Sequence, residues 1–304
     1  MKSVLTKKKM YYWIIVIMVI LFFVAILFDR FPRFMNLLYR NYDYYQKVNG
    51  IKEYDKYHKK PVSAIKIPII TYHRIVPHDI KEKDYSKNEW VNDADVVSEQ
   101  LKYLNDNGWK SIDLDEFYCW YNKECKFDEK TYVLTIDDGD YEAFYVVLPM
   151  IKKYNIKATM FAIGSKIPEV TDKYDETKRK KLGFDIIQKL RKEDSLLQIE
   201  SHSYNMHYKN ENGNAIMEDL TIQEMEEDLK KSDELGFRYF AYPYGYYNTE
   251  MLNVVANDPQ VKMAFKFKNG TYATRADNRY EISRIKITSL TTMDEFKAWF
   301  DYSK

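Results

Sequence analysis

The most extended feature in the hydrophobic pattern lies near the amino terminus. Met10 to Phe28 is an unbroken run without a charged side chain. As a helix it would be about 28 Å long, close to the hydrocarbon thickness of a bilayer. Residues 29–64 then mix Tyr, Lys and Asn with scattered apolar positions such as Phe31, Phe34, Leu37 and Leu38, and Pro61 marks their end. They read as a partly helical stalk. Beyond them the pattern changes to short β-branched or aromatic runs separated by stretches of helical period. Strands are predicted at Ile65–Tyr72, Ser111–Leu114, Tyr132–Ile136, Lys157–Gly164, Leu197–Ser201, Tyr239–Tyr242, Met263–Phe267 and Ile282–Ile287. Helices are predicted over Asp93–Asn107 (stopped by Gly108), Asp115–Tyr121, Glu142–Tyr154 (with Pro149 a possible kink), roughly 176–193, from the capping box Thr221–Glu224 to Gly236, Asn248–Ala256, and after Thr292–Glu295.

Strands and helices alternate through most of residues 65–304, which argues for parallel strands covered by helices, as a sheet or a barrel. In parallel barrels the chemistry sits at the carboxyl ends of the strands. Four polar clusters fall at such ends: His73, Asp137-Asp138, His202 and Tyr244.

Composition adds a few constraints. The 304 residues carry 47 Lys+Arg against 46 Asp+Glu, a formal net charge of +1, which gives no reason to expect a nucleic-acid partner. The 28 Tyr, 16 Phe and 5 Trp supply core, and any that are exposed would suit sugar faces. Cys119 and Cys125 are the two cysteines, so no disulfide framework holds the fold; one small-loop bridge and a reduced pair are both open. Lys7, Lys8 and Lys9 precede the apolar run and place the amino terminus inside, although Arg30 and Arg33 follow it. Phe28-Asp29-Arg30-Phe31 offers no small-x-small cleavage site, which disfavours a removed signal peptide. The expected organisation is a cytoplasmic segment 1–9, a membrane anchor 10–28, a stalk 29–64 and an extracellular domain 65–304.

The candidate chemistry starts at Thr135-Ile136-Asp137-Asp138-Gly139, where two carboxylates stand at a strand end before a turn. Alone, this is equally a solvated turn; in a cleft, one carboxylate could hold a cation while the other moves a proton. His202-Ser203-Tyr204-Asn205-Met206-His207 brings two of the five histidines within six residues. Five steps suit neither one helix face nor one strand face, but a loop past a strand end can converge them. Two imidazoles and a carboxylate leave open positions on a metal, as catalytic zinc sites require. Phe240-Ala241-Tyr242-Pro243-Tyr244-Gly245 is a tight turn whose backbone N–H groups could donate to an oxyanion. A single His after an apolar run, as in Thr71-Tyr72-His73-Arg74, is more often structural than catalytic.

Together these motifs resemble those of the polysaccharide deacetylases of carbohydrate esterase family four, over about residues 65–290. Thr135–Gly139 looks like the first motif of that family, with Ile136 in place of an aromatic. His202–His207 looks like the second with one extra residue, and Phe240–Gly245 like the third. The five-step His spacing, Tyr72–Ile75 and Ala241–Gly245 are similar to those of the biofilm enzymes that deacetylate poly-β-1,6-N-acetylglucosamine. The resemblance implies a deformed (β/α) barrel. It implies Asp138, His202 and His207 as ligands of a divalent metal, zinc by preference, Asp137 as general base, the Tyr244 N–H as oxyanion donor and His73 as general acid. Ala241 stands where many relatives carry the Arg that orients the base; Arg284, in a strand lacking the late His of many relatives, is a candidate for that task, and equally an ordinary rim Arg. The expected substrate is an extracellular N-acetylglucosamine polymer, met at the membrane, with a polysaccharide synthase or export complex as a possible partner. Peptidoglycan is the alternative polymer, and a non-catalytic polysaccharide-binding protein the more distant alternative.

Overall fold

The computed structural model describes residues 64–193, 195–267 and 272–301. The expected anchor over 10–28 and all but the last residue of the stalk lie outside the described residues. Among the described residues, no helix is long and apolar enough to cross a membrane.

Seven parallel strands close into a barrel in chain order: β1 (Ile69–Tyr72), β2 (Thr131–Ile136), β3 (Ala158–Ala162), β4 (Leu197–Ser201), β5 (Tyr239–Ala241), β6 (Met263–Phe267) and β7 (Ile282–Lys286). Each pairs with the next, and β7 pairs with β1, Ile285 opposite Ile70 and Lys286 opposite Thr71. The β4–β5 seam is the narrowest, with the single register pair Ser201–Phe240. Closure leaves these strands no free edge within the ring.

The alternation of the strands divides the core. Ile69, Val133, Phe161, Tyr239, Ala241, Met263, Phe265 and Ile282 share one buried cluster, the barrel interior. Their neighbours Ile70, Leu134 and Met160 belong instead to the layer under the helices, with Val97, Leu101 and Leu104 of helix Ala94–Asp106. Phe240 and Ala264 likewise pack outward on Met225 and Leu229 of helix Ile222–Glu234 and on Met251 and Val255 of helix Thr249–Asn257. Helix Leu114–Tyr121 adds Leu114, Phe117 and Trp120 to the inner cluster. Cys119 and Cys125 are disulfide-bonded at its end.

The structure revises several expected elements. Pro68, which has no N–H to donate to a ladder, divides the first strand into Lys66–Ile67, antiparallel to Ala273–Thr274, and β1. The strand expected at Ser111–Leu114 is only Lys110–Ser111, because Asp113 is the N-cap of the next helix, in a capping box with Glu116. Over 142–154 a wider π-type turn, Ala143–Val147, precedes helix Leu148–Tyr154, so Pro149 falls in a first turn and needs no kink. The helix expected over 176–193 is confined to Phe184–Lys192. Residues 176–181 carry charge without an apolar face, and they run as an irregular strap across the barrel mouth. A short parallel pair, Arg74–Val76 with Val91–Asp93, was not foreseen.

Phe265 is fully buried, with its ring 5.6 Å from Phe161 and 6.3 Å from Phe117 between centroids. Phe265→Ala is expected to lower unfolding free energy by about 3–5 kcal/mol, read from the denaturant midpoint, because the closed barrel cannot collapse around the void.

Candidate active site

Strand alternation decides which side chains enter the barrel mouth. Ile69 and Thr71 on β1, and Val133 and Thr135 on β2, face inward, and Thr71 and Thr135 share a hydrogen bond of 2.7 Å. His73 and Asp137, two residues further along each strand, fall on the same side. The Asp137 N–H donates to the Tyr72 carbonyl at 3.0 Å, extending the β1–β2 ladder to the carboxylate itself.

Asp137 is fully buried and meets Arg284 of β7 in a two-pronged ion pair, Nη1 to Oδ1 at 2.7 Å and Nη2 to Oδ2 at 2.9 Å. The Arg284 guanidinium lies between two aromatic rings, 5.1 Å from the Phe161 centroid and 4.6 Å from that of Phe267. Phe267 is in turn packed on Gly245, where an added Cβ would come within 2.5 Å of the ring. Burial favours a neutral Asp137, but Arg284, His202 and His73 outweigh it and hold the carboxyl below its usual range.

Asp138 leaves the strand at φ 80°, a left-handed turn, and one oxygen of each carboxylate, Asp137 Oδ2 and Asp138 Oδ1, comes within 3.8 Å of His202 Nε2. Oδ1 is buried, has no hydrogen-bond partner among the described residues, and lies 3.3 Å from His207 Nε2 and 3.8 Å from His202 Nε2. Oδ2 accepts from Arg179 Nη2 at 2.8 Å, and the Asp138 carbonyl accepts from Lys181 Nζ at 2.8 Å. Burial opposes the charge, yet His73, His202, Lys181 and His207 pull Asp138 well below the usual carboxylate range.

His202 follows β4, and its ring Nδ1 lies 2.8 Å from the Ala241 carbonyl. With Nδ1–H donating to that carbonyl, Nε2 keeps its lone pair toward the carboxylates. His207 reaches the same place through a loop that turns at Ser203, φ 66°. Asp228 holds that loop by accepting from the Tyr204 and Asn205 N–H groups at 2.7 and 2.6 Å. Burial keeps His202 below its ordinary pKa, and burial with the neighbouring His202 pushes His207 down to about 4. Both are therefore neutral imidazoles near pH 7, the form that binds metals. Asp138, His202 and His207 offer one donor atom each within 4.8 Å of one another. A buried oxygen without a hydrogen bond, facing two imidazole nitrogens, fits a divalent cation.

His73 is half-buried; its Nδ1 has no hydrogen-bond partner among the described residues, and its ring touches Trp90 edge-on at 4.7 Å. Burial pushes its pKa down against the pull of Asp137 and Asp138. Tyr244 occupies a left-handed position, φ 59°, with its ring 4.4 Å from that of His207. The mouth thus brings His73, Asp137, Asp138, His202, His207, Tyr244 and Arg284 together. His73, Asp138, His207 and Tyr244 line a groove of about 630 Å³ that is also bordered by Trp90, Arg179, Lys209 and Tyr246.

Several supporting residues escaped the sequence reading. Arg179 and Lys181, which grip Asp138 and Asp140, were assigned to a helix. Arg74, beside His73, forms a buried ion pair with Glu142 at 2.6 Å and donates to the Lys178 carbonyl at 3.0 Å, tying the short strand Arg74–Val76 to the strap. No local pattern announces such pairs; the only signal was a charged residue inside the apolar context of Tyr72-His73-Arg74-Ile75.

Comparison with known proteins agrees with this geometry. The polysaccharide deacetylase family model matches residues 125–261, which hold both carboxylates, both histidines and the Pro-Tyr-Gly turn. Residues 125–261 carry a polysaccharide deacetylase domain, and the protein is a deacetylase of the hydrolase class. A poly-β-1,6-N-acetyl-D-glucosamine N-deacetylase of Staphylococcus aureus strain MRSA252 is 28% identical over 221 residues, covering 70% of this chain and 73% of the relative. Among solved structures, the Streptococcus pyogenes deacetylase PplD in complex with acetate superposes with a TM-score of 0.65 at 22% identity, covering 80% of this chain and 100% of that one. A de-N-acetylase of Aggregatibacter actinomycetemcomitans gives a TM-score of 0.64 at 19% identity, covering 77% and 99%. The last two are likenesses of fold.

Burial, with Asp140 nearby, pushes Glu142 up to about 7 against the pull of Arg74. An acid raised in the folded state binds more protons folded than unfolded, so its contribution is complete below the unfolded pKa of about 4.5 and is lost as pH rises through about 7. Unfolding titrations across that window are expected to show stability falling with pH by up to about 3 kcal/mol more in the wild type than in Glu142→Gln.

Proposed function

We propose that this deacetylase removes N-acetyl groups from poly-β-1,6-N-acetylglucosamine outside the cell, with the help of a divalent metal, zinc by preference. The observation that carries this reading is the pairing of an Arg-held buried carboxylate, Asp137, with the adjacent donor set Asp138, His202 and His207. The choice of polymer is supported by the relatives of that printed activity. The location is supported by the apolar run Met10–Phe28 after three lysines, and by the Cys119–Cys125 disulfide, which suits an oxidising compartment.

In this reading Asp138, His202 and His207 hold the metal. When bound, it would polarise the acetamide carbonyl and make water a better nucleophile at neutral pH. Asp137 is fixed by Arg284 in its ionised, acceptor-only form, and takes the proton of the attacking water as the C–O bond forms. The Tyr244 N–H donates to the carbonyl oxygen as it becomes an oxyanion. The protonated form of His73, which burial makes the minor one near neutral pH, gives its proton to the sugar nitrogen as the C–N bond breaks. Acetate and a glucosamine unit leave, and proton exchange with water resets both groups. The strap residues Arg179 and Lys181 hold Asp138 in its left-handed turn, so Oδ1 stays directed at the histidines.

Asp138→Ala and His207→Ala are expected to lose bound metal and acetate release together, and chelation should silence the wild type. His73→Ala and Asp137→Asn should keep near-normal metal content while turnover falls by about 10²-fold or more. Activity surviving chelation and both ligand substitutions would refute the scheme. Side-by-side acetate release from β-1,6-linked oligomers and from muropeptides assigns the polymer.

A further inference from the structure

We propose that Trp90 is the surface on which the sugar ring carrying the reacting acetamide rests. The inference builds on the reading above, with His73 as the group that protonates the departing nitrogen. Its starting point is a register. The short parallel pair outside the barrel aligns Arg74 with Val91, Ile75 with Asn92 and Val76 with Asp93. One step back along both chains, the same register sets Trp90 beside His73, and the rings meet at 4.7 Å. The ribbon therefore delivers an indole to the candidate acid without contributing to the barrel.

Trp90 keeps 39% of its surface exposed where it borders the groove. Its position is set from two sides. The Trp90 N–H donates to Asn88 Oδ1 at 3.1 Å, and the Ser289 N–H donates to the Glu89 carbonyl at 3.0 Å. The backbone that carries the indole is thus held, and the part of the side chain left exposed borders the groove, as a binding platform does. The nitrogen to be protonated is bonded directly to the pyranose ring and must come within hydrogen-bond reach of His73. The ring that bears it is then brought against the nearest exposed apolar surface, the indole. Lys286 Nζ lies 4.3 Å from the indole centroid, where it can also donate to ring hydroxyls. The other exposed aromatics of the groove, Tyr244 and Tyr246, follow β5, and Tyr244 packs on His207 rather than His73. They remain available to neighbouring units of the chain.

The test uses the full-length, metal-loaded protein and a β-1,6-linked N-acetylglucosamine pentamer. In an Asp137→Asn background, which allows binding to be measured by calorimetry without turnover, Trp90→Ala should weaken the affinity by about tenfold and Trp90→Phe by much less. Metal content should not change in either. With Asp137 restored, Trp90→Ala should raise KM for the pentamer by a similar factor. Pentamer affinity within twofold of the parent, in variants that retain their metal, would overturn the proposal. Acetate release by the wild type from the same pentamer checks the underlying reading separately. Release with unchanged binding in the Trp90 variants sinks the platform alone, whereas neither release nor binding sinks both.

Discussion

An ionised carboxylate inside a closed barrel has lost its water, and without compensation it would take up a proton and cease to be a base. The Asp137–Arg284 pair answers that constraint, and much of the barrel mouth serves it. A buried guanidinium is itself costly, so Arg284 must be held as firmly as it holds. Two phenylalanine rings cover its faces, and Thr135 Oγ1 lies 3.4 Å from Nη1. Phe267 reaches its place only because Gly245, at φ 68°, offers no Cβ to stop it. A chain of dependence thus runs from a glycine in the turn after β5 to the protonation state of a carboxylate after β2.

Asp137 and Asp138 are covalent neighbours in opposite surroundings. Continuing the strand, Asp137 enters the dry interior and finds a fixed cation. Leaving the strand in a left-handed turn, Asp138 finds two neutral imidazoles on one oxygen and a half-exposed Arg179 on the other. Identical side chains acquire different chemistry through one backbone dihedral. Arg284 reaches Asp137 from β7, distant along the chain from the strand that the carboxylate follows, and supplies the cation at Asp137.

The parts of this arrangement written locally were readable. β-branched or aromatic runs marked every barrel strand, capping boxes marked Thr221 and Thr292, and the short polar motifs marked His73, Asp137, Asp138, His202, His207 and Tyr244. What was not readable depends on partners distant in sequence. The strap carrying Arg179 and Lys181 has helix-forming residues and no apolar face, so its shape is decided by distant partners, Asp138, Asp140, Tyr141 and Arg74 among them. Val91–Asp93 is too short and polar to be recognised as a strand before Arg74–Val76 is present to pair with it. Arg284 could be suspected but not assigned, because its two hydrogen bonds to Asp137 span 147 residues.

That span also sets an order of events during synthesis. Both carboxylates and both histidines leave the ribosome well before β7 does, and β7 is the strand that closes the ring against β1. Until it arrives, Asp137 has no counter-ion and the interior is open to solvent. A nascent chain therefore carries every donor of the candidate metal centre before Asp137 has its counter-ion, so the arrangement at the mouth is completed at once, with the last strand, rather than growing as the protein lengthens. Any truncation before Arg284 would keep both carboxylates and both histidines and lose the buried cation that holds Asp137 ionised.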